Sequence, residues 1–120
     1  MPRAIFAMFF TLLTALPAAA VELVMVEQPG CVYCERWDAE IAPIWPNSEA
    51  GQYAPLRRER LRAPPQDVDY ARKVVFTPTF LIVEDGRELA RLEGYPGGDF
   101  FWPLIEQLLE KHTGFEKGDS

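Results

Sequence analysis

The chain has only two cysteines, and they stand three positions apart in Cys31-Val32-Tyr33-Cys34. The flanks of this tetrapeptide restrict the fold more than any other stretch. The apolar run Leu23-Val24-Met25-Val26 precedes it, and Pro29-Gly30 turns the chain. Cys34, Trp37, Ile41 and Ile44 then recur at helical spacing. A strand must pass through a tight turn into a helix that opens on the cysteines. Residues i and i+3 share a helix face, which brings the two sulfurs within disulfide reach. Free backbone N–H groups and the positive end of the helix dipole favour thiolate over thiol at Cys31. Cys34 is placed to attack a mixed disulfide formed on Cys31.

Two other roles fit a cysteine pair. A structural staple closing so short a loop adds about 2 kcal/mol in the loop-closure model, against about 3 for a 15-residue loop. A staple serves better between distant segments. A zinc site needs four ligands, and the sole histidine, His112, lies near the far end. Redox chemistry is the reading these residues favour.

The first twenty residues read as a secretory signal peptide. Arg3 is a positive n-region, Ile5 to Leu16 an apolar core, and Pro17-Ala18-Ala19-Ala20 a small-residue cleavage signal. Twelve apolar residues span about 18 Å as a helix, short of the ~30 Å hydrocarbon core, so no stable membrane anchor is expected. Cleavage after Ala20 leaves 11 cations against 18 anions. An acidic domain is a poor match for nucleic acid or an anionic membrane. Export also places the cysteines where disulfides persist.

Beyond the cysteines, Val21 to Gln28 is expected as a strand with both faces covered, and Cys31 to about Trp45 as a helix that Pro43 kinks or ends. A polar loop from Pro46 leads to a strand over Pro55 to Arg62. Its Arg57, Arg58, Arg60 and Arg62 suit an edge, where charge discourages pairing with other chains. A docking patch for an anionic partner is the alternative. Asp67 can cap a short helix to Lys73. Phe80 to Val83 is a strand, Asp85-Gly86 a hairpin turn, and Arg87 to Glu93 the returning strand. Asp99 caps a last helix to about His112, with Phe101, Leu104, Ile105, Leu108 and Leu109 as its apolar stripe. Gly114 ends it, and residues 115–120 are expected as a flexible tail. The fold class is α/β: a four-stranded mixed sheet, βαβ then a hairpin, with helices on both faces.

This order, with Cys31-Val32-Tyr33-Cys34 after the first strand and Thr77-Pro78 ahead of the third, resembles the thioredoxin family. The resemblance covers residues 21–114 and implies a minimal thioredoxin fold. It implies that Pro78 is cis and packs beside the disulfide, and that Thr77 pairs with an extended substrate segment. The alternative for Pro78 is an ordinary trans bond at the start of a strand. The extra N-terminal strand and helix of full-length thioredoxins have no room here, which leaves the arginine-rich strand as an edge. The family's buried aspartate, six positions before the first cysteine, is replaced by Met25. Glu27, two residues on and on the same strand face, is the candidate proton acceptor, against the alternative of a solvated glutamate. Gly30 replaces the tryptophan that usually precedes the first cysteine. The Val-Tyr dipeptide matches neither the reducing nor the strongly oxidising members.

The Glu-Gln-Pro-Gly-Cys-x-Tyr-Cys run, Phe76-Thr77-Pro78-Thr79-Phe80 and Glu93-Gly94-Tyr95-Pro96-Gly97 to Phe101-Trp102 are similar to the short periplasmic thioredoxins encoded with bacterial sulfur-oxidation (Sox) genes. That resemblance implies a periplasmic thiol–disulfide oxidoreductase that reduces cysteines on a partner protein. It implies electrons supplied by a membrane thiol-reductant transporter. A monomer that needs no metal or organic cofactor is expected. Cys31 would attack and Cys34 resolve. Thr77, Pro78, Pro29, Gly30 and Tyr33, with Gly94 and Tyr95, would shape the substrate groove. A cytochrome-maturation or general disulfide reductase fits the same residues. A different class is a periplasmic Cu(I) carrier, since two thiolates suit that soft ion. A third is an adaptor that docks an acidic partner through the arginines.

Overall fold

The computed structural model describes residues 4–9, 11 and 20–118. Most of the expected signal segment, including residues 17–19 of its cleavage signal, lies outside the described residues, as do residues 119–120. Among the described residues no helix is long and apolar enough to cross a membrane.

Four strands form one mixed sheet in the order β2-β1-β3-β4. β1 (Val21–Glu27) runs parallel to β2 (Leu56–Arg60) and antiparallel to β3 (Thr79–Glu84), which pairs antiparallel with β4 (Arg87–Glu93). The crossover from β1 to β2 carries α1 (Val32–Glu40), a 3-10 turn (Trp45–Asn47) and α2 (Glu49–Tyr53). After the hairpin comes α3 (Gly98–His112). β1 and β3 are central, so their apolar runs are buried on both faces. The β3–β4 turn is Asp85-Gly86, with φ of 51° and 79°, the left-handed pair that a two-residue hairpin requires.

The two faces are covered differently. On one, Leu23, Met25, Phe80 and Ile82 meet Trp37, Trp45, Phe101, Ile105 and Leu109 from the helical segments. On the other, Val24, Val26, Leu81 and Val83 meet Val68 and Val74. Helices were expected on both faces, yet all three pack on the first. The second is covered by the irregular segment 61–78. The expected helix from Asp67 to Lys73 is absent there. Its backbone instead borders the hairpin, with Asp69 N–H donating to Gly86 O (2.7 Å) and Glu88 N–H to Asp69 O (3.0 Å). Val68 and Tyr70 thus alternate toward the sheet as an extended chain does.

The first helix ends at Glu40 rather than Trp45. Pro43 has no N–H to continue the ladder, and Ile41 N–H closes it on Trp37 O at 2.8 Å. Ile44, expected to face the sheet, is therefore exposed. The expected polar loop instead contains α2, whose cap Ser48 Oγ accepts from Gly51 N–H at 2.9 Å. Gly51 is needed there for space. A Cβ on it would lie 1.6 Å from Trp45 O. Gly51→Ala gains up to about 1 kcal/mol of helix propensity. The overlap with backbone outweighs that, and a net loss of about 1–3 kcal/mol is expected in urea unfolding. Equal midpoints for variant and wild type would show that the turn yields freely.

The N-cap of α3 is Gly97, which offers no side-chain bond, so Asp99 lies in the first turn and is not the cap. Leu104, assigned to the apolar stripe, is 38% exposed, whereas Phe101, Ile105 and Leu109 are buried. Phe115, the start of the expected tail, is buried and packs at a tilt against Tyr53, with ring centroids 5.2 Å apart. Gly118 N–H reaches Glu49 Oε2 at 3.0 Å.

Candidate active site

Gln28-Pro29-Gly30 carries the chain from β1 into α1, with Gly30 at φ 76°, a conformation that favours glycine. Cys31 is the N-cap of α1, in extended conformation, and its Sγ accepts from Cys34 N–H at 3.2 Å. The two cysteines form a disulfide with Cα atoms 5.2 Å apart. Cys34 is 5% exposed and packs into the aromatic core, while Cys31 is half-buried at the surface. The sulfur open to attack thus sits where helix-start N–H groups stabilise negative charge.

The Thr77–Pro78 bond is cis, as the resemblance implied. Two hydrogen bonds fix this segment. Gln28 Nε2 donates to Thr77 Oγ1 at 2.8 Å, and Gly94 N–H donates to Pro78 O at 2.7 Å. The first draws the cis-proline segment against the turn that carries Cys31. The second ties it to the loop after β4. The sequence assigns Gln28 no role, although it stands in the Glu-Gln-Pro-Gly-Cys-x-Tyr-Cys run that carries the resemblance.

Tyr33, Gly94, Tyr95, Pro96, Leu92 and Leu104 line a groove of about 400 Å³. Tyr33 and Val32 are exposed, as are Val75 and Phe76 just ahead of Thr77. Arg36 lies over the Tyr33 ring at 5.8 Å. Exposed apolar side chains within and just before the two site segments are what a protein-docking face looks like. Tyr95 itself is buried, with its hydroxyl donating to Glu40 Oε2 at 2.6 Å. Burial, then this bond to a carboxylate, pushes the Tyr95 phenol up to about 12. A folded-state value above the ordinary value of about 10 means this contribution to stability is complete below pH 10. It is lost as pH rises through 12. Tyr95→Phe is expected to be less stable near neutrality by about 1 kcal/mol, and the gap to wild type should shrink between pH 10 and 12. Denaturant titrations across that range measure it. A constant gap would rule out this phenol as the source. Tyr70, whose phenol burial also raises, keeps some alkaline sensitivity in both proteins.

Glu27 is not simply solvated. Its Oε2 accepts from Arg58 Nη1 at 2.6 Å, and Arg58 Nη2 donates to Asp38 Oδ1 at 2.8 Å. The Arg58 guanidinium lies 5.8 Å from the Trp37 ring centroid and beside Met25, its register partner on β1. So Arg58 faces the helix side of the sheet, bridging Glu27 to α1. Arg57 turns to the other face and is bidentate to Asp67 at 2.6 and 3.0 Å. These hydrogen bonds hold the Asp67 carboxyl below its ordinary value. Among the described residues no group of three or more His, Cys, Asp or Glu could hold a metal ion.

A family profile described as Thioredoxin-like domain matches residues 14–109. No curated protein sequence matches the chain. Among solved structures, the periplasmic thioredoxin SoxS from Paracoccus pantotrophus, in its reduced form, is 51% identical. The match covers 76% of this chain and 97% of that one, with a TM-score of 0.74. The fold, the cysteine pair at the start of α1 and this likeness agree, and the chain belongs to the thioredoxin-like family as a thiol–disulfide oxidoreductase with a Cys-x-x-Cys active site.

Proposed function

We propose that the chain is an exported, periplasmic dithiol reductant that restores a cysteine on a protein of bacterial sulfur oxidation. The observation that carries this is the 51% identity to the periplasmic thioredoxin SoxS over nearly all of that protein. The signal read from residues 1–20 agrees with it.

In the reduced protein the Cys31 thiolate attacks one sulfur of a partner disulfide. A Cys31–partner disulfide forms, the partner's S–S bond breaks, and the departing sulfur takes a proton from water. Cys34 then gives up its proton and attacks Cys31 Sγ. The second partner sulfur leaves as a thiol, and Cys31–Cys34 is oxidised by two electrons. Glu27, hydrogen-bonded to Arg58, is the candidate acceptor for the Cys34 proton, directly or through water. Thr77 presents backbone groups to an extended substrate segment. Pro78, Pro29, Gly30 and Tyr33 shape its groove. A membrane thiol-reductant transporter resupplies the electrons, and the protein works as a monomer.

The test is the reduction potential of the Cys31–Cys34 pair, by equilibration with dithiothreitol. A value near about −270 mV, that of thioredoxin, supports a reductant. A value near about −120 mV reverses the electron flow and removes this reading.

A further inference from the structure

Of the eleven arginines and lysines among the described residues, six make ion pairs within the chain: Arg36, Arg57, Arg58, Arg72, Arg91 and Lys117. Arg60, Arg62, Lys73, Arg87 and Lys111 pair with no acid among the described residues. Three of these five lie together, exposed, in a chain of net charge −6. Arg60 and Arg62 line a groove of about 420 Å³ that ends on Pro29, two residues from Cys31. Arg62 and Lys73 line an adjoining groove of about 500 Å³ that ends on Val75, two residues from Thr77. Leu61 and Arg62 line both, so the two grooves lie side by side. Glu27, the one acid in either, is already bonded to Arg58.

We propose that Arg60, Arg62 and Lys73 form a docking strip for an acidic segment of the partner protein, lying next to the partner's reactive cysteine. This rests on the exchange reading above and assigns the partner's chemistry. The arginine-rich stretch thereby divides in two. Arg57 and Arg58 are satisfied internally and serve the fold. Arg62 and Lys73 lie past the end of β2, where they cannot shield its edge. The other flank of the disulfide, around Tyr33 and Leu104, is largely apolar. A partner is therefore oriented: apolar side chains toward Tyr33, carboxylates toward Arg62. The net negative charge of the chain opposes an acidic partner at long range. At about 0.1 M salt the screening length is about 10 Å, so only the charges beside the site are felt on contact.

The test uses three symmetric peptide disulfides, with the cysteine followed by three aspartates, three serines or three lysines. Their rates with the reduced protein are divided by their rates with dithiothreitol, which removes intrinsic reactivity. At about 0.1 M salt the aspartate peptide is expected to react about tenfold faster than the serine peptide, and the lysine peptide slower. The advantage should fall toward twofold at about 0.5 M. R60E/R62E should reverse the order. Equal corrected rates for the aspartate and serine peptides overturn the strip, as does an advantage that survives R60E/R62E. If that variant does not fold, R60Q and K73Q singly must each lower the advantage, and the salt dependence of the wild type stands alone. Binding to phosphatidylglycerol vesicles, with no peptide preference, would assign the strip to a membrane surface instead. A serine peptide that no reduced protein attacks would sink the exchange reading itself, so the two failures are distinct.

Discussion

Cys31→Ser should reduce disulfide exchange to the uncatalysed background, a loss of about a thousandfold or more. A serine hydroxyl stays protonated at neutral pH and forms no disulfide, so neither the attack nor the covalent intermediate survives. Cys34→Ser should behave differently. Cys31 still sits at the start of α1 with the residue 34 N–H aimed at its sulfur, so the first attack proceeds. Release fails, and the protein accumulates as a mixed disulfide that is visible by mass and cleaved by dithiothreitol. Cys34 is the buried partner of the two, so it is expected to serve only an adduct already formed next to it. Accumulation on Cys31→Ser instead of on Cys34→Ser would exchange the two roles.

Phe101→Ala should be the most damaging core substitution, at about 3–5 kcal/mol. The ring is fully buried and lies within 5.1–6.1 Å, centroid to centroid, of Trp37, Trp45, Phe80, Tyr95 and Trp102. It joins α3 to α1 and to the central strand β3, so its loss leaves a cavity bounded by large rings that cannot collapse into it. Domains of this size are stable by about 5–15 kcal/mol, so the change removes about a fifth of the total or more. Phe101→Leu, which keeps most of the volume, should cost far less. Urea unfolding distinguishes them. A loss below about 1 kcal/mol for alanine would mean that the aromatic cluster is not what holds α3 in place.

The parts of this protein that sequence revealed are those written in local chemistry. Asp85-Gly86 marks its hairpin because two left-handed residues in a row need that pair. The central strands are apolar on both faces, and the cysteine pair sits between a strand, a Pro-Gly turn and a helical period. What sequence concealed depends on contacts between distant segments. The end of α1 was set by Pro43, but the periodicity of Ile41 and Ile44 ran past it. α2 is five residues long, too short for a periodic signal, and announces itself only through Ser48 and the clearance at Gly51. Segment 67–73 has a helix-capping residue but takes its hydrogen bonds from the hairpin. Glu27 was recognisable as an acid on the right strand face. Its ion pair with Arg58 depends on the β1–β2 register, which puts Arg58 beside Met25. The same register separates Arg57 from Arg58 by face, a distinction invisible in a run of arginines.

The irregular cover over the second face of the sheet has a consequence for how this protein loses function on heating. Segment 61–78 holds few backbone bonds of its own and borrows several from the hairpin, so little beyond the burial of Val68 and Val74 holds it on the sheet, and it is expected to open before the helical layer does. It ends in Thr77–Pro78. A local opening there would dismantle one wall of the reactive site and separate Gln28 from Thr77, while the aromatic layer on the other face stays closed. Catalytic competence and the global fold are thus expected to be two thresholds in one small domain, with exchange activity lost at a lower temperature than the helical signal.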